Sequence, residues 1–441
     1  MEAILSAAGT TYWNEILDTS PDISTYNLPE VICSKSSPSK NGTETVAFLG
    51  SASHNATKFL LSSLINGYQV APLSTLILSN TQIGQISGSL GGQLNPDFLT
   101  YKNSISKVRR INGSLLIFTS GSTGVPKGVI LNSQALTNAA IASNAITKYS
   151  STSKWLLSLP PSHIGGASIP TRAIVSGGAI VIPNDKSNEA IIQAINVWGV
   201  THLSLVSSQF RSLIQNSSAR KLLKSCQCIL IGGAPTPTRL LHEAWDEGLP
   251  VAISYGMTET ASHISIGFVS EPEVRNGSVG KILPNTKISI RQDNHVLITT
   301  NQCFSGYIEQ DGTTTYQQDN TFVTNDYGLV TSNGYLYISG RADDVINSGG
   351  VKVSPRLIEK AAEDFGVIEC YAVSIPDIKW GSRPVLWIDN SVCPESLHKH
   401  LKNTLPRISL PDYIFVTNNF PKLPSGKIDR KELVIQSQNR K

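Results

Sequence analysis

Residues 115–129 of the 441-residue chain read LLIFTSGSTGVPKGV, four apolar residues running into a loop of Thr, Ser and Gly that ends on a single lysine. Such a loop, entered from an apolar strand, exposes backbone N–H groups that can surround an anion, usually a phosphate. A Walker loop would need its lysine directly after the second glycine, and a hydroxyl after the lysine to hold magnesium. Here Lys127 follows Pro126 and precedes Gly128, so that site is excluded. Taken alone, the loop reads either as an anion cradle or as a flexible surface turn. A second residue of unusual placement is Arg172, within LPPSHIGGASIPTRAIVSGG, a stretch apolar enough to be half buried. A lone arginine there is unusual unless it meets an anion.

The elements that must position these groups follow from the apolar pattern. From residue 114 the short runs LLIF, WLLSL, AIVI, HLSLV, CILI and VAISY alternate with helix-like stretches such as NSQALTNAAIASNAI, NEAIIQAINVW and PTRLLHEAWDEG. That alternation predicts βαβ units and a parallel sheet covered by helices. Ligands in such sheets bind beyond the carboxyl ends of strands, where Thr119 to Gly124 would lie. After residue 278 strands dominate (KISIR, HVLITT, TFVTN, GYLYISG), which predicts a β-rich subdomain. Near Arg341 the pattern changes again, to a helix SPRLIEKAAEDF with Ser354 as N-cap and Pro355 at the first helical position, then strands YAVSI and VLWI. The expected class is α/β: a large N-terminal α/β domain over 1–340, its β-rich subdomain at about 279–340, a hinge at 341–343 and a small mobile α+β domain over 344–441. The first 110 residues carry a weak pattern, with a polar loop SKSSPSKNGTET at 34–45.

Composition bounds the function. With 40% hydrophobic and 15% charged residues the chain is an ordinary globular protein, and no apolar run approaches the roughly 20 residues of a membrane span. The start MEAILSAAGTTYWNEI lacks a basic region ahead of its short apolar stretch, and the six cysteines show no CxxC pair or zinc-like spacing. Both features predict a cytoplasmic protein with free thiols. A formal charge of +4, with no basic block interleaved with aromatics, makes nucleic acid a poor partner.

Four stretches occur in order: TSGSTGVPKG (119–128), SYGMTETAS (254–262), SGRADDVINSGGVKVSP (339–355) and LPSGKIDRKEL (423–433). Together they resemble the acyl-adenylate-forming superfamily over roughly residues 110–435, and within it are most similar to the o-succinylbenzoate-CoA ligase branch. The resemblance implies a two-step reaction with ATP, Mg2+ and coenzyme A, in which a carboxylate becomes an acyl-adenylate and then a thioester. Thr119, Ser120, Gly121, Ser122, Thr123, Gly124 and Lys127 would hold the triphosphate. Glu259 would bind magnesium, since a hard dication takes carboxylate oxygen while keeping waters and phosphate ligands. Thr258 would donate to the α-phosphate, Tyr255, Gly256 and Met257 would flank the adenine, and Gly233, Ala234 and Pro235 would form its wall. Asp326 would accept the ribose hydroxyls, although Asn325 stands where the family has glycine and predicts an altered turn. Arg341 would also reach the ribose, Asp343 would be the hinge, and Lys427 would meet the charge developing at the α-phosphate. Ser348, Gly349 and Gly350 would line the CoA channel.

For the acid, His163 matches the family's position beside the acyl pocket, Gly165 and Gly166 would leave room for a ring, and Gln209 would line the same pocket. o-Succinylbenzoate keeps one carboxylate ionised while the other reacts, and Arg172 is the candidate cation for it. Two other readings stay open: an enzyme that loads an aryl or amino acid onto a carrier protein, and a catalytically silent nucleotide-binding protein.

Overall fold

The computed structural model describes residues 2–4, 31–34, 45–49, 54–65, 67, 69–73, 111–119, 127–183, 185, 187–309, 313–423 and 428–440. Two large sheets form the N-terminal part. The first runs Glu2–Ile4, Ala179–Ile182, Lys154–Leu156, His202–Leu205, Cys228–Ile231, Val251–Met257, Ser262–Phe268 and Lys281–Ile282. Its inner strands from Ala179–Ile182 to Val251–Met257 are mutually parallel, as the alternation predicts. AIVI, HLSL and CILI are buried at every position, the signature of strands covered on both faces. One apolar cluster lies between this sheet, the second sheet and the helices Ser133–Thr147 and Ile164–Ser176. Another packs helices Asn188–Trp198, Ser207–Ile214, Ser217–Leu223 and Thr238–Asp246 on the opposite face.

The second sheet corrects the expectation for LLIF. Ser114–Thr119 pairs antiparallel with Lys127–Leu131, so that Thr119 lies opposite Lys127. The β-branched and apolar residues on both sides of the loop make a hairpin, which a βαβ reading does not allow for. Residues 120–126, which connect its two strands, lie outside the described residues. The β-rich stretch likewise divides. Gly306–Ile308 and Thr314–Tyr316 extend the hairpin's sheet, while Thr286–Ile290, His295–Thr300, Thr321–Val330 and Leu336–Arg341 form a four-stranded antiparallel sheet of their own.

The C-terminal part has separate cores. Its sheet of Val351–Val353, Ile346–Ser348, Gly381–Ile388, Cys370–Asp377 and Ile414–Val416 packs against helices Pro355–Phe365, Pro394–Thr404 and Arg430–Asn439. Ser354 occupies the N-cap with Pro355 following, as expected, but its side chain makes no cap bond; its Oγ donates to the Ser339 carbonyl at 3.3 Å instead. Among the described residues no helix is long and apolar enough to cross a membrane.

Candidate active site

A cleft of about 870 Å³ lies where the two sheets, the antiparallel sheet and the C-terminal part meet. It gathers most of the residues singled out in the sequence: Thr119, Lys127, His163, Gly165, Arg172, Gly233, Ala234, Pro235, Tyr255, Gly256, Met257, Thr258, Glu259, Asp326, Arg341 and Asp343. Residues some two hundred positions apart converge because the inner strands of the first sheet end there together. Ser120, Gly121, Ser122, Thr123, Gly124 and Lys427 lie outside the described residues.

One end of the cleft is a charged hydrogen-bond network. The Tyr255 hydroxyl donates to Asp326 Oδ2 at 2.6 Å, and Arg341 Nη1 donates to Oδ1 at 3.1 Å. Burial, and then the Asp326 charge, hold the Tyr255 phenol protonated far above its ordinary range. Each carboxylate oxygen retains a lone pair, so the pair can still accept two hydroxyls. Asn325 needs no left-handed backbone: it sits in the extended strand Thr321–Val330 and is not among the positive-φ residues. No left-handed turn is formed at this position. Its amide instead donates to both oxygens of Asp343, at 3.0 and 3.2 Å, while Arg341 Nη2 reaches Asp343 at 2.9 Å.

Glu259 lies on a single 3-10 turn, Thr258–Thr260, after Val251–Met257. Tyr307 donates its hydroxyl to Glu259 Oε1 at 3.0 Å, and Lys127 pairs with Glu309 at 3.0 Å beside the Tyr307 ring. Among the described residues no group of three or more His, Cys, Asp or Glu could hold an ion unaided. A lone carboxylate facing a cleft suits magnesium that arrives with phosphates and keeps its waters. After Glu259 the chain reverses through left-handed backbone at Ala261 (φ 53°) and Ser262 (φ 126°). Gly256 makes that return possible, since a Cβ there would collide with the Ser262 carbonyl and the His263 Cα.

The other end of the cleft holds Arg172, only 2% exposed. Its guanidinium lies 4.6 Å from the Trp155 ring, and Nη2 donates to Ser262 Oγ at 3.1 Å and contacts His263 Nδ1 at 3.3 Å. Trp155 is fixed in turn by its Nε1–H donating to Ser204 Oγ at 3.0 Å. Among the described residues Arg172 Nη1 is buried without a partner, and no carboxylate pairs with the side chain. Burial lowers its pKa to about 10. A buried cation with an unused donor on a cleft wall is built to receive an anion.

Three sequence assignments are placed elsewhere. Gly166 does not line the cleft; a Cβ there would collide with the Pro160 carbonyl, so the glycine lets the helix Ile164–Ser176 start against that chain. Gln209 caps its own helix, its Oε1 accepting the Val206 N–H at 3.1 Å, and is not among the described residues lining the cleft. Ser348, Gly349 and Gly350 also lie off the cleft wall: the glycines take φ 56° and 81° in the turn between two short strands, and Ser348 Oγ accepts from Arg383 at 3.1 Å. Sequence reading missed Trp155, Ser262, His263 and Tyr307, and the C-terminal residues Arg356, Glu359 and Arg430 that close the cleft. Of these Ser262 and Arg430 lie inside the SYGMTETAS and LPSGKIDRKEL motifs, and His263 stands directly after the first.

The family of AMP-binding enzymes matches residues 85–308, and the chain belongs to that family. It is 30% identical over 331 residues to a 2-succinylbenzoate–CoA ligase of Bacillus cereus, covering 72% of this chain and 69% of the relative. A Listeria monocytogenes protein of the same name is 30% identical over 322 residues, with the same coverage. The fold is shared with o-succinylbenzoate CoA synthetase of Bacillus subtilis in complex with its acyl-adenylate (TM-score 0.74, 23% identity, 96% of this chain and 92% of the other). The same enzyme with ATP and magnesium superposes at TM-score 0.72, with 25% identity over 88% of this chain and 89% of that one.

Proposed function

We propose that this chain activates o-succinylbenzoate with ATP and transfers the acyl group to coenzyme A, in the cytoplasm, as a step of menaquinone or phylloquinone synthesis. In the first half-reaction a carboxylate oxygen attacks the α-phosphorus, the bond to the bridging oxygen breaks, and pyrophosphate leaves. In the second, the CoA sulfur attacks the acyl carbon, AMP leaves, and the thiol proton passes to solvent. The relatives named as 2-succinylbenzoate–CoA ligases support this reading. The observation that carries it is Arg172, a buried cation on the wall of the cleft that meets no carboxylate among the described residues. It suits an acid that keeps a second carboxylate ionised while the first reacts.

In this scheme Asp326 and Arg341 take the ribose, Tyr255, Gly256, Met257 and the 233–235 turn the adenine, and Thr258 the α-phosphate. Thr119, Lys127 and the 120–124 loop take the triphosphate. Glu259 holds magnesium, which neutralises phosphate charge. His163 and Gly165 border the acid. Lys427 supplies positive charge to the adenylation step, and the C-terminal part turns about Asp343 to bring Ser348 to Gly350 to the CoA thiol in the second. The test is CoA-dependent AMP formation with o-succinylbenzoate beside benzoate, short fatty acids and amino acids. Selectivity for o-succinylbenzoate supports the proposal. Preference for another acid, faster loading of a carrier protein than of CoA, or no turnover with any acid overturns it, in favour respectively of a different pocket, a carrier-loading enzyme or a silent binder.

A further inference from the structure

The short strand Gly306–Ile308 brings two polar groups to the Glu259 end of the cleft. It pairs antiparallel with Lys127–Leu131, with Tyr307 opposite Val129 and Ile308 opposite Gly128, so the next residue, Glu309, comes opposite Lys127. Opposite charges in that relation attract across strands, and Glu309 Oε1 stands 3.0 Å from Lys127 Nζ. The Glu309 N–H donates to the Thr313 carbonyl at 2.9 Å, which fixes the backbone that carries the carboxylate. Tyr307 reaches both neighbours: its ring centre is 5.7 Å from Lys127 Nζ, and its hydroxyl donates to Glu259. Glu259 thus accepts from a neutral phenol and keeps its charge for a cation, whereas Lys127 already has a counter-charge.

Lys127 lines the cleft, and Glu309 is not among the described residues that do. A triphosphate entering the cleft must draw the lysine away from Glu309 or share it, so the strength of the ion pair is subtracted from what the anion gains. We infer that Glu309 is an internal competitor for Lys127 that weakens the hold on ATP and on departing pyrophosphate. AMP has neither the β- nor the γ-phosphate and escapes the competition. The inference rests on the proposed function and deepens it. With side chains 38% and 33% exposed, the pair is screened by water and has the strength of a surface ion pair, which sets the effect at about two- to fivefold. A lysine without a counter-charge would grip both substrate and product; Glu309 takes it back as pyrophosphate leaves.

The test is calorimetric binding of α,β-methylene-ATP with magnesium, and of AMP, to the parent, Glu309→Gln, Lys127→Met and the double variant. Glutamine keeps the size of the side chain and removes its charge. The expected result is binding of the ATP analogue about two- to fivefold tighter in Glu309→Gln, with AMP affinity unchanged. Pyrophosphate should inhibit adenylation by that variant at a correspondingly lower concentration. In the Lys127→Met background Glu309→Gln should change nothing, because the competed lysine is gone. Unchanged or weaker binding of the analogue by Glu309→Gln overturns the inference, as does equal tightening for AMP. The same tightening without Lys127 also overturns it, since Glu309 would then repel the phosphates directly. Each of these results leaves the proposed function standing; a parent that binds neither the analogue nor AMP overturns both.

Discussion

Replacing Arg172 with methionine distinguishes a binding charge from a structural pillar, because the two roles predict different changes in stability. Burial lowers the guanidinium pKa from its ordinary arginine value to about 10. At 1.36 kcal/mol per pKa unit, the charged form carries roughly 3 kcal/mol of unfavourable free energy in the folded protein. For a base whose folded pKa is lowered, that cost is complete at every pH below about 10 and fades only as the pH rises towards the ordinary arginine value, so at neutral pH it is carried whole. Methionine keeps an apolar stem against Trp155 and gives up the Nη2 contacts to Ser262 and His263, each about 1 kcal/mol net, together with about 1 kcal/mol of cation–π attraction. Gain and loss nearly offset. The free Arg172→Met protein is expected to unfold in urea within about 1 kcal/mol of the parent. Its kcat/KM for o-succinylbenzoate, measured by pyrophosphate release, should fall about 10²- to 10³-fold, from one or two charge-assisted hydrogen bonds at roughly 2 kcal/mol each. Benzoate, which has no second carboxylate, should react at nearly the parent rate. A loss of several kcal/mol in stability with equal losses on both acids would refute the reasoning and make Arg172 a core support.

Gly166→Ala places a methyl group against the Pro160 carbonyl, which is backbone and cannot swing away; a loss of about 2 kcal/mol in denaturant unfolding is expected, and no loss would mean that the helix start is plastic. Tyr307→Phe removes the hydroxyl held on Glu259 Oε1. About tenfold more magnesium should then be needed for half-maximal adenylation, with KM for the acid unchanged. Arg211 donates to Glu369 at 2.6 Å and to the Ile368 carbonyl at 2.8 Å, joining the helix Ser207–Ile214 to the C-terminal part in the pose whose Arg356, Glu359 and Arg430 close the cleft. Arg211→Ala should slow adenylation more than thioester formation from supplied adenylate, and a double-mutant cycle with Glu369→Ala should give a coupling of about 1–3 kcal/mol; equal effects on both half-reactions would count against a domain contact made in only one of them.

What could be read in the sequence was whatever is local or periodic. The all-apolar strands and the helix after Ser354–Pro355 each follow from neighbouring residues and are found where expected, and Thr119, Lys127 and the described residues Ser254 to Glu259 of SYGMTETAS meet at one cleft. The misplacements arise where a particular contact, not a periodic pattern, decides. LLIF pairs with a strand beyond its own loop, a choice made by registry with Lys127–Leu131 that no periodicity encodes. Gly166 looks like an open space in sequence, but its missing side chain is filled by the Pro160 carbonyl. Gln209, three residues after Val206, has the spacing of a helix cap, and that local bond takes its side chain away from the cleft. Tyr307 was illegible because it approaches Glu259 from a different sheet.

The turn after Glu259 ties the proposed nucleotide site to the proposed acid site. Left-handed backbone at Ala261 and Ser262 costs on the order of 1–3 kcal/mol per residue, and such strain persists only where the surroundings over-determine it. Here the Thr260 hydroxyl accepts the Met257 N–H at 3.0 Å and lies 2.7 Å from the Ser262 carbonyl, while Gly256 admits the returning strand at a distance no side chain would allow. The reversal puts Thr258 and Glu259 at the start of the turn and Ser262 and His263, the supports of Arg172, at its end. A relaxed turn would move one set relative to the other. The strain fixes the separation between the Glu259 carboxylate and the buried Arg172 cation, and in the proposed reaction it sets the length of acid whose far carboxylate is held while the near one reacts.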